Sequence, residues 1–473
     1  MEILSAEVLD GVVIPIAYLV ASVLFILGLK RLSSPETARG GNLMGATGML
    51  LAIIATLLTQ QVQLDWTWIV VGLVVGAAIG AFLARWVEMT AMPQMVAVFN
   101  AFGGGASALV ATAEYLRISG GTIEAVSFDV SLTIALSVLI GTITFSGSFI
   151  AWAKLEGYFE DPLTYPAQQV INALLFLVML GAGAWISVQP GAPLNVFLVL
   201  AVLAFIFGIL FVMPIGGADM PVVVALLNSY SGLAASAAGF VLNNNVLIIA
   251  GALVGASGLI LTNIMCKAMN RSLANVLFSA FGSQKEAVGG DGDGAAKVVK
   301  EIMPDDAAAL MAYSESVVVI PGYGLAVAQA QHQARELADL LGEKGVTVKF
   351  AVHPVAGRMP GHMNVLLAEA NVPYDQLYES DDINPEMERT DVALIVGAND
   401  VVNPDARTNE NSPLYGMPII NADYAANTIV MKRTLNPGFA GTDNPLFYKD
   451  NNRMLFGDAK DSLTKIVGAL KKM

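Results

Sequence analysis

The chain has 473 residues, of which 55% are hydrophobic and 14% charged, and its formal net charge is −14. This composition excludes an ordinary soluble protein, and the negative charge argues against nucleic acid as a partner. The one cysteine, Cys266, excludes a disulfide framework and a Cys-rich metal centre, and no metal site is predicted. Only 8 of the 25 Lys and Arg residues precede residue 276, which predicts an apolar first part and an acidic, soluble second part.

Nine apolar runs in the first part, of roughly 19 to 26 residues each, are long enough to cross a bilayer core as helices. They lie near 8–29, 41–59, 66–84, 92–115, 127–152, 167–187, 194–213, 220–241 and 246–267. The acidic residues Glu2, Glu7 and Asp10 stand where a signal peptide would carry positive charge. The first run is therefore expected to stay in the protein as a span.

The charges of the connecting loops predict the orientation of these spans. Lys or Arg residues follow the first, third, fifth and ninth runs, whereas the loops at 60–65, 188–193 and 242–245 carry none. Arg117 and Asp219 do not fit this alternation. The positive-inside rule places the N-terminus outside and the C-terminal part in the cytoplasm.

The second part alternates predicted strands with predicted helices. A glycine-rich tether at 281–300 precedes a short helix near Asp305 or Asp306. Strands are predicted at 316–320, 346–352, 391–397, 417–421 and 427–432, and helices at 325–341, at 361–371 and after Asp458. This order predicts a Rossmann-like α/β domain with one doubly wound parallel sheet. The predicted boundaries are a membrane domain at 1–275, a linker at 276–303 and a nucleotide domain at 304–473.

A glycine turn follows the first predicted strand. Gly322 and Gly324 separate that apolar strand from a helix-forming run. Such a turn lets backbone N–H groups at a helix N-terminus approach a pyrophosphate. The alternative is a tight strand–helix turn without a ligand. Dinucleotide binding is the favoured interpretation, and the domain has length for one dinucleotide.

The choice between NAD and NADP depends on two strand ends. The second strand ends at Val352-His353 without the carboxylate that usually binds the ribose of NAD. Lys432 and Arg433 close a later strand and precede Thr434, a set that suits a 2′-phosphate. The alternative for these cations is a solvated strand end. The sequence favours NADP.

Two further segments are expected near the cofactor. Residues 436–442 contain Gly438 and Gly441 and no periodicity, which predicts a mobile lid. Asp400, like His353 and Arg358, follows the carboxyl end of a strand, where ligands of such sheets lie. Asp400 could sense the charge of a redox cofactor, or it could cap a helix.

Asparagine amides are the polar groups expected deep in the spans, because all three histidines lie in the second part. Asn100 and Asn228 are about eight residues, or roughly 12 Å, into their spans. They could hold water on a proton path, or they could join helices at about 0.6 kcal/mol each. The other polar residues noted within or beside the spans are Asn172, Asn263, Asp219, Lys267 and Arg271.

Several long, irregular stretches resemble the beta subunit of the proton-translocating NAD(P) transhydrogenases, over nearly the whole chain. They are GGADMPVVV (216–224), LNSYSG (227–232), CKAMNRS (266–272), PGYG (321–324), HPVAGR (353–358), PGHMNVLLAEA (360–370), GAND (397–400) and MLFGDAK (454–460).

The resemblance implies that the second part binds NADP(H), with Asp400 near the nicotinamide and Lys432 and Arg433 on the 2′-phosphate. The dinucleotide in this family crosses the sheet opposite to the usual direction. The implied cofactor-binding residues are Gly322, Tyr323, Gly324, Ala326, Val327, Arg358, Met359, Pro360, Gly397, Ala398, Asn399, Asp400, Lys432, Arg433, Gly438, Gly441, Asp458 and Ala459.

The resemblance also implies a partner. An alpha subunit would bind NAD(H) and supply further membrane helices, in a dimer of alpha–beta units in the bacterial inner membrane. Hydride transfer would be coupled to inward proton movement through Asn100, Asp219 and Asn228, with Lys267 and Arg271 in the hinge. Some members carry His where this chain has Asn100, so the titrating group is expected on the partner.

Two other functions are compatible with a nucleotide domain attached to membrane spans. One is a transporter or channel gated by nucleotide binding, without redox turnover. The other is a dehydrogenase merely anchored to the membrane. Nine spans exceed what anchoring requires, and no Ser–Tyr–Lys set is visible, which disfavours the anchored dehydrogenase.

Overall fold

The computed structural model describes residues 8–59, 65–119, 127–159, 163–189, 193–278, 299–359, 361–438 and 440–473. These residues form two compact units. The first comprises the described residues of Met1–Phe159, Leu163–Met213 and Leu226–Ile260, and the second those of Pro214–Ala225 and Leu261–Met473. Glu2, Glu7, most of the loop at 60–65, half of the loop at 188–193 and most of the predicted linker lie outside the described residues. The predicted domain boundaries therefore stay predictions.

Nine helices in the described residues are long and apolar enough to cross a membrane. They are α1 (Ile14–Arg31, after a π-helical turn Leu9–Val13), α2 (Pro35–Leu58), α3 (Trp66–Trp86), α4 (Met92–Arg117), α5 (Phe128–Leu155), α6 (Gln168–Val188), α7 (Leu194–Val212), α8 (Met220–Val241) and α9 (Asn245–Ala268). The predicted number of spans is confirmed. The start of α2 differs most, because Pro35 suits a first helical turn and begins the helix before the apolar run.

Small residues bring the helices of the first unit into close contact. A Cβ added to Gly104 of α4 would lie 2.7 Å from the carbonyl oxygen of Gly141 of α5. Aromatic side chains fill other contacts, for example Tyr115 stacked on Phe197 with ring centroids 4.0 Å apart. Van der Waals packing of this kind holds helices together where lipid supplies no hydrophobic driving force between them.

The second unit contains α10 (Leu273–Phe278) and an α/β region. Its helices are α11 (Pro304–Ala312), α12 (Tyr323–Val327), α13 (Gln331–Glu343), α14 (His362–Glu369), α15 (Ser380–Ile383), α16 (Asp405–Thr408) and α17 (Ala459–Leu470). Its strands are β1 (Ser316–Pro321), β2 (Thr347–Val352), β3 (Leu377–Glu379), β4 (Val392–Val396), β5 (Asn427–Lys432) and β6 (Asn452–Phe456). Short 3₁₀ helices occupy Met89–Ala91, Gly217–Asp219, Tyr374–Gln376, Asn384–Arg389, Asp400–Val402, Ala422–Tyr424 and Pro445–Tyr448.

The six strands form one parallel sheet in the order β3-β2-β1-β4-β5-β6. This confirms the predicted doubly wound α/β class. β4 is buried throughout and β1 is buried after Ser316, which explains why both strands are continuous apolar runs. The strand order reverses direction between β1 and β4, and a crevice is expected at their carboxyl ends.

Three predictions about the sheet region were wrong. The helix predicted at 325–341 is broken, because Gln329 takes a left-handed conformation between α12 and α13. Residues 417–421 form no strand: β5 already pairs with β4, and Ile420 N–H instead donates to the Val401 carbonyl. The strands β3 and β6 were missed, since β3 has three residues and β6 begins with the polar pair Asn452-Arg453.

Candidate nucleotide site and membrane amides

The turns after β1 and β4 interlock at the point where the sheet order reverses. Gly322 N–H donates to the Val396 carbonyl and Gly324 N–H to the Gly397 carbonyl, each at 2.9 Å. A Cβ on Gly322 would overlap the backbone of Gly397 and Ala398. Gly397 has φ +67°, a conformation that favours glycine. The two backbones thus approach closely and leave the start of α12 open toward the carboxyl edge of the sheet.

A cavity of about 570 Å³ lies at this edge. The turns after β1, β2, β4, β5 and β6 all contribute to its lining, which is typical of a ligand site in an open α/β sheet. Its volume is in the range of small-molecule and cofactor sites. Four residues from outside the sheet region, but within the same unit, also line it: Gly217, Pro221, Met269 and Arg271.

Besides Arg271, three cationic side chains of the sheet region line the cavity. Lys432 ends β5 and Arg433 follows it, with an exposed side chain. Burial lowers the pKa of Lys432, and the carboxylates of Asp400 and Asp443 partly offset that effect. The Arg358 guanidinium lies over the Tyr323 ring, 4.4 Å from its centroid. Charged groups of this kind can bind the phosphate groups of a nucleotide.

The segment 435–444, called the strap below, contacts the Asp400 carboxylate. Ala440 N–H donates to Asp400 Oδ2 at 3.0 Å, and Lys432 donates to the Asn436 carbonyl. The Asp400 carboxylate therefore accepts a hydrogen bond from a backbone N–H of the strap rather than from the first turn of a helix. Phe439, inside the strap, lies outside the described residues.

Two buried asparagines fix the far end of the strap. Asn403 Nδ2 donates to the Asp443 carbonyl at 3.0 Å. Asn444 Nδ2 donates to Asn399 Oδ1 at 3.0 Å. Both asparagines are fully buried, so these amide contacts hold one end of the strap against the turn that carries Asp400.

The two buried histidines of the sheet region support loops. His353 Nε2 is 2.8 Å from the Pro418 carbonyl, and burial lowers its pKa. His362 Nδ1 accepts the Arg358 N–H at 3.1 Å, which requires that nitrogen to be unprotonated. Burial, helped by the nearby Arg358 charge, lowers the pKa of His362 to about 4. Both imidazoles are therefore neutral at pH 7.

Asp219 and Arg271 form an ion pair in the second unit. Arg271 Nη1 lies 2.8 Å and 2.9 Å from the two carboxylate oxygens. Burial raises the pKa of Asp219, and the Arg271 charge opposes that rise. Lys267, one turn earlier, is exposed. Asp219 is thus a partly desolvated carboxylate beside the start of α8.

Asn100 and Asn228 lie at the same level in the first unit. Consecutive spans alternate in direction, so α4 and α8 run parallel. A Cβ on Gly103 of α4 would lie 2.6 Å from Ser231 Oγ of α8, and each asparagine is three residues before its member of that pair. Asn100 is 6% exposed and Asn228 is half-buried. Of the other amides, Asn172 Oδ1 accepts the Tyr165 hydroxyl at 2.7 Å and Asn263 is exposed.

Comparison with known proteins decides the family. The family model for the NAD(P) transhydrogenase beta subunit matches residues 14–469. Two relatives named NAD(P) transhydrogenase subunit beta, both from Rhodospirillum rubrum, are each 48% identical over 458 residues. Each alignment covers 96% of this chain and 98% of the relative. The chain belongs to the NAD(P) transhydrogenase beta-subunit family.

Most residues that the family resemblance implied for the nucleotide site line the cavity. They are Gly322, Tyr323, Gly324, Val327, Arg358, Gly397, Ala398, Asn399, Asp400, Lys432, Arg433, Gly438, Asp458 and Ala459. Among the described residues, Ala326, Met359 and Gly441 are not in this lining, since Ala326 and Met359 point into the interior. Pro360 lies outside the described residues. The carboxylate of Asp458 accepts the Lys460 N–H at 2.9 Å, so it caps α17.

Other parts of the cavity lining were not predicted from the sequence. The lining also includes Val355, Ala356, Gly357, Pro413, Leu414, Met417, Pro437 and Gly457. Pro437 lies within the predicted lid, and Gly457 beside the matched Asp458-Ala459 pair. The strap-holding residues Asn403 and Asn444 have no local signal, because their partners lie about 40 residues away along the chain.

Proposed function

We propose that this chain binds NADP(H) at the carboxyl edge of its sheet. The observation that carries this proposal is the interlocked glycine turn of Gly322 and Gly397 at the sheet reversal, with Lys432 and Arg433 on the same cavity. A side chain at Gly322 would overlap the turn after β4 and force apart the two turns that shape this edge. The cations suit a 2′-phosphate, which only NADP(H) carries.

The proposed activity is hydride transfer between NAD(H) on an alpha subunit and NADP(H) on this chain. When bound, the nicotinamide supplies the hydride chemistry. The residues of this chain position it and exclude water: the strap covers the cavity edge, and Asp400 places a negative charge beside the strap. A carboxylate there favours the positively charged oxidised ring over the neutral reduced one.

The same proposal couples hydride transfer to inward proton movement. One charge crossing 100 mV releases about 2.3 kcal/mol, which is roughly a fifty-fold change in an equilibrium ratio. The amides of Asn100 and Asn228 hold water at one depth, and the partly desolvated Asp219 lies at the start of α8. The titrating group is assigned to the partner, because an amide does not titrate near neutral pH.

The proposed setting is the bacterial inner membrane, with the N-terminus outside and the nucleotide domain in the cytoplasm. Positive loop charges support this orientation. The proposed assembly is a dimer of alpha–beta units. The family name supports an alpha partner, since a beta subunit implies one.

The decisive experiment co-expresses this chain with an NAD(H)-binding partner in sealed membranes. Hydride transfer from NADPH to an NAD⁺ analogue is followed with and without an uncoupler. Transfer that needs both chains and accelerates when the gradient collapses supports the proposal. NADP⁺ binding without transfer in any partner background would favour a nucleotide-gated transporter instead.

A second experiment tests the assignment of the cofactor. Replacing Arg433 by Ala should weaken NADP⁺ binding by about 1.5–3 kcal/mol, the value of a hydrogen bond to a charged group. The affinity for NAD⁺, which lacks the 2′-phosphate, should change little. Lys344→Ala, on the far side of the domain after α13, is the matched control. Equal losses for both nucleotides would contradict the assignment.

A further inference from the structure

A second cavity in the described residues has a volume of about 270 Å³ and lies beside the first half of β2. It shares no lining residue with the nucleotide cavity, which lies at the carboxyl ends of the strands. Because a strand rises about 3.3 Å per residue, the first residue of β2 is roughly 16 Å from its last. The two cavities are therefore separate. The lining of the second consists of Ala338, Gly342, Val346, Thr347, Val348, Lys349, Asp375, Gln376 and Tyr378.

The sheet edge beside this cavity is incomplete. β3 pairs with Phe350–Val352 of β2, so the first three residues of β2 have no neighbouring strand on that side among the described residues. Thr347 N–H donates to the Glu315 carbonyl at 2.9 Å, on the β1 side. Successive residues of a parallel strand direct their backbone groups to alternate sides, so the N–H and C=O of Val348 point away from β1. Val348 thus presents one donor and one acceptor at an open edge.

The opposite edge of the same sheet already pairs with an extended segment. Met454 N–H of β6 donates to the Lys300 carbonyl at 2.7 Å, and Ile302 N–H donates to the Met454 carbonyl at 3.0 Å. The residues just before α11 therefore add to β6 through main-chain hydrogen bonds. A chain in the same conformation would match the donor and the acceptor of Val348, since strand addition uses backbone groups.

The polar side chains of the second cavity favour a cationic occupant that donates hydrogen bonds. Gln376 Oε1 is buried and has no hydrogen-bond partner among the described residues. Lys349 Nζ donates to the Glu386 carboxylate and lies 4.6 Å from the centroid of the Tyr378 ring, so its charge is compensated. Asp375 leaves the lining with a negative charge, and no ion pair to it is found in the part of the chain that the structure describes. Both acceptors are complementary to N–H groups that carry positive charge.

The rest of the lining leaves room for a side chain. Ala338, Val346 and Val348 are buried and give the cavity an apolar floor. No described atom outside its own helix turn lies within 4 Å of the position that a Cβ on Gly342 of α13 would take. The volume lies just below the usual range for small-molecule sites, so it suits a short peptide segment better than a nucleotide.

We propose that this cavity, called the edge site below, binds an extended segment of a protein partner that carries a lysine or arginine side chain. The backbone of the segment pairs with Val348 and continues the line of β3 along β2. Its cationic group binds the Asp375 carboxylate and Gln376 Oε1. The net charge of −14 favours a basic partner over a second copy of this chain. The edge site needs no nucleotide and does not depend on the proposed function.

Peptide binding to the full-length chain in lipid nanodiscs tests the edge site. The probe is the tripeptide acetyl-Val-Lys-Val-amide, whose blocked ends leave the lysine ammonium as its one charge, and binding is measured by saturation-transfer NMR. An analogue with norleucine in place of lysine should bind about tenfold more weakly, because it lacks the ammonium group. An analogue methylated at its backbone nitrogens should bind about fivefold more weakly, because it cannot donate to the edge.

Two substitutions then locate the bound peptide. Gly342→Phe should weaken binding by more than about tenfold, because the ring would fill the cavity. Gly468→Phe on α17 is the matched control and should leave binding unchanged, since Gly468 also has open space at its Cβ but does not line the cavity.

Gln376→Leu separates binding from structure, because it removes an acceptor that has no partner within the described residues. It should weaken peptide binding by about tenfold without lowering resistance to pulse proteolysis. A destabilised Gln376→Leu that binds the peptide normally would show that the amide is only structural and would overturn the assignment.

Three other outcomes would also overturn the edge site. They are equal binding of the lysine and norleucine peptides, normal binding to Gly342→Phe, and displacement of the peptide by saturating NADP⁺, which would place the peptide in the nucleotide cavity. Absence of peptide binding together with a change in oligomeric state in Gly342→Phe would assign the edge to contact between copies instead. Because no readout requires hydride transfer, failure of the edge site and failure of the proposed function are distinguishable.

Discussion

Replacing Gly438 by alanine should release the strap from Asp400. A Cβ at Gly438 would overlap Asp400 Oδ1 and lie 2.9 Å from Asn399 Nδ2. Neither atom is the free end of a long side chain, and the turn that carries both is held by the interlocked backbones of Gly324 and Gly397. In Gly438→Ala the strap must therefore move away from Asp400. This movement should break the hydrogen bond from Ala440 N–H to Asp400 Oδ2.

The size of the effect follows from that bond. A hydrogen bond to a charged group contributes about 1.5–3 kcal/mol when both partners are partly shielded from water. Since 1.4 kcal/mol is a factor of ten, the closed strap should become about 10- to 150-fold less populated. Under the proposed function, NADP⁺ release should accelerate by about this factor, while the association rate should change by less than about threefold.

The assay is displacement of prebound NADP⁺ from the full-length chain in detergent, followed by stopped-flow fluorescence. Gly468→Ala is the matched control, because Gly468 lies within α17 and nothing within 4 Å would meet its Cβ. That control should leave release unchanged and raise stability by up to about 1 kcal/mol through helix propensity. A release rate for Gly438→Ala equal to the control rate would refute the idea that the strap retains the nucleotide.

Three other substitutions make separate predictions for the full-length chain. Gly322→Ala should abolish NADP⁺ binding measured by calorimetry, since its Cβ would overlap the turn after β4; near-normal affinity would refute the assigned pyrophosphate turn. Asp423→Asn should lower the free energy of unfolding by about 2 kcal/mol, measured by pulse proteolysis. The Asp423 carboxylate is 1% exposed and pairs with Arg407 at 2.5 Å and with Lys449 at 2.6 Å. The control, Asp382→Asn at an exposed position, should leave the stability unchanged. The pKa of His362 is about 4 in the folded protein and about 6.5 when the chain is unfolded, so the unfolded state binds the proton more readily. The free energy of unfolding should therefore be highest above pH 6.5 and fall by up to about 3 kcal/mol toward pH 4. His362→Gln should flatten that part of the pH profile, and an unchanged profile would contradict a neutral buried imidazole.

Elements with a strong local signal were predictable from the sequence. The nine spans are continuous apolar runs, and β1, β4 and β5 are short runs rich in β-branched residues between turn residues. β3 was missed because its three residues carry no apolar run, and β6 because its polar start makes tertiary contacts. Asn452 is fully buried there, with Nδ2 donating to the Phe447 carbonyl at 3.1 Å. Such a residue looks like loop in sequence and becomes core only in the fold.

The segment 417–421 shows the opposite error, since an apolar sequence does not by itself make a strand. Its backbone groups are satisfied by other loops: the Pro418 carbonyl contacts His353, and the Ile419 carbonyl accepts Asn384 Nδ2 at 2.8 Å. The sheet has no position for it, because β5 already lies beside β4. Satisfied buried backbone groups, rather than apolar composition, decide which runs become strands.

The residues of the candidate nucleotide site also fall into a part with a local sequence signal and a part without one. The glycine turn is local, so motif and context were enough to predict it. The strap was predicted only as a mobile segment. Its attachments to Asp400, Asn399 and Asn403 join turns that are 40 or more residues apart, and no spacing rule in the sequence could indicate them.

The energies at the two ends of the proposed coupling are of similar size. A proton crossing 100 mV releases about 2.3 kcal/mol. The hydrogen bond from Ala440 N–H to Asp400 is worth about 1.5–3 kcal/mol. Opening or closing one such contact therefore involves a free energy of about the size that one proton supplies. Under the proposed function, a coupling device of this kind requires no large rearrangement within the sheet, because a change at the Asp400 carboxylate is sufficient. This is why Asp400 and its strap, rather than the buried strands, are the part of the second unit where substitutions should separate nucleotide binding from proton coupling.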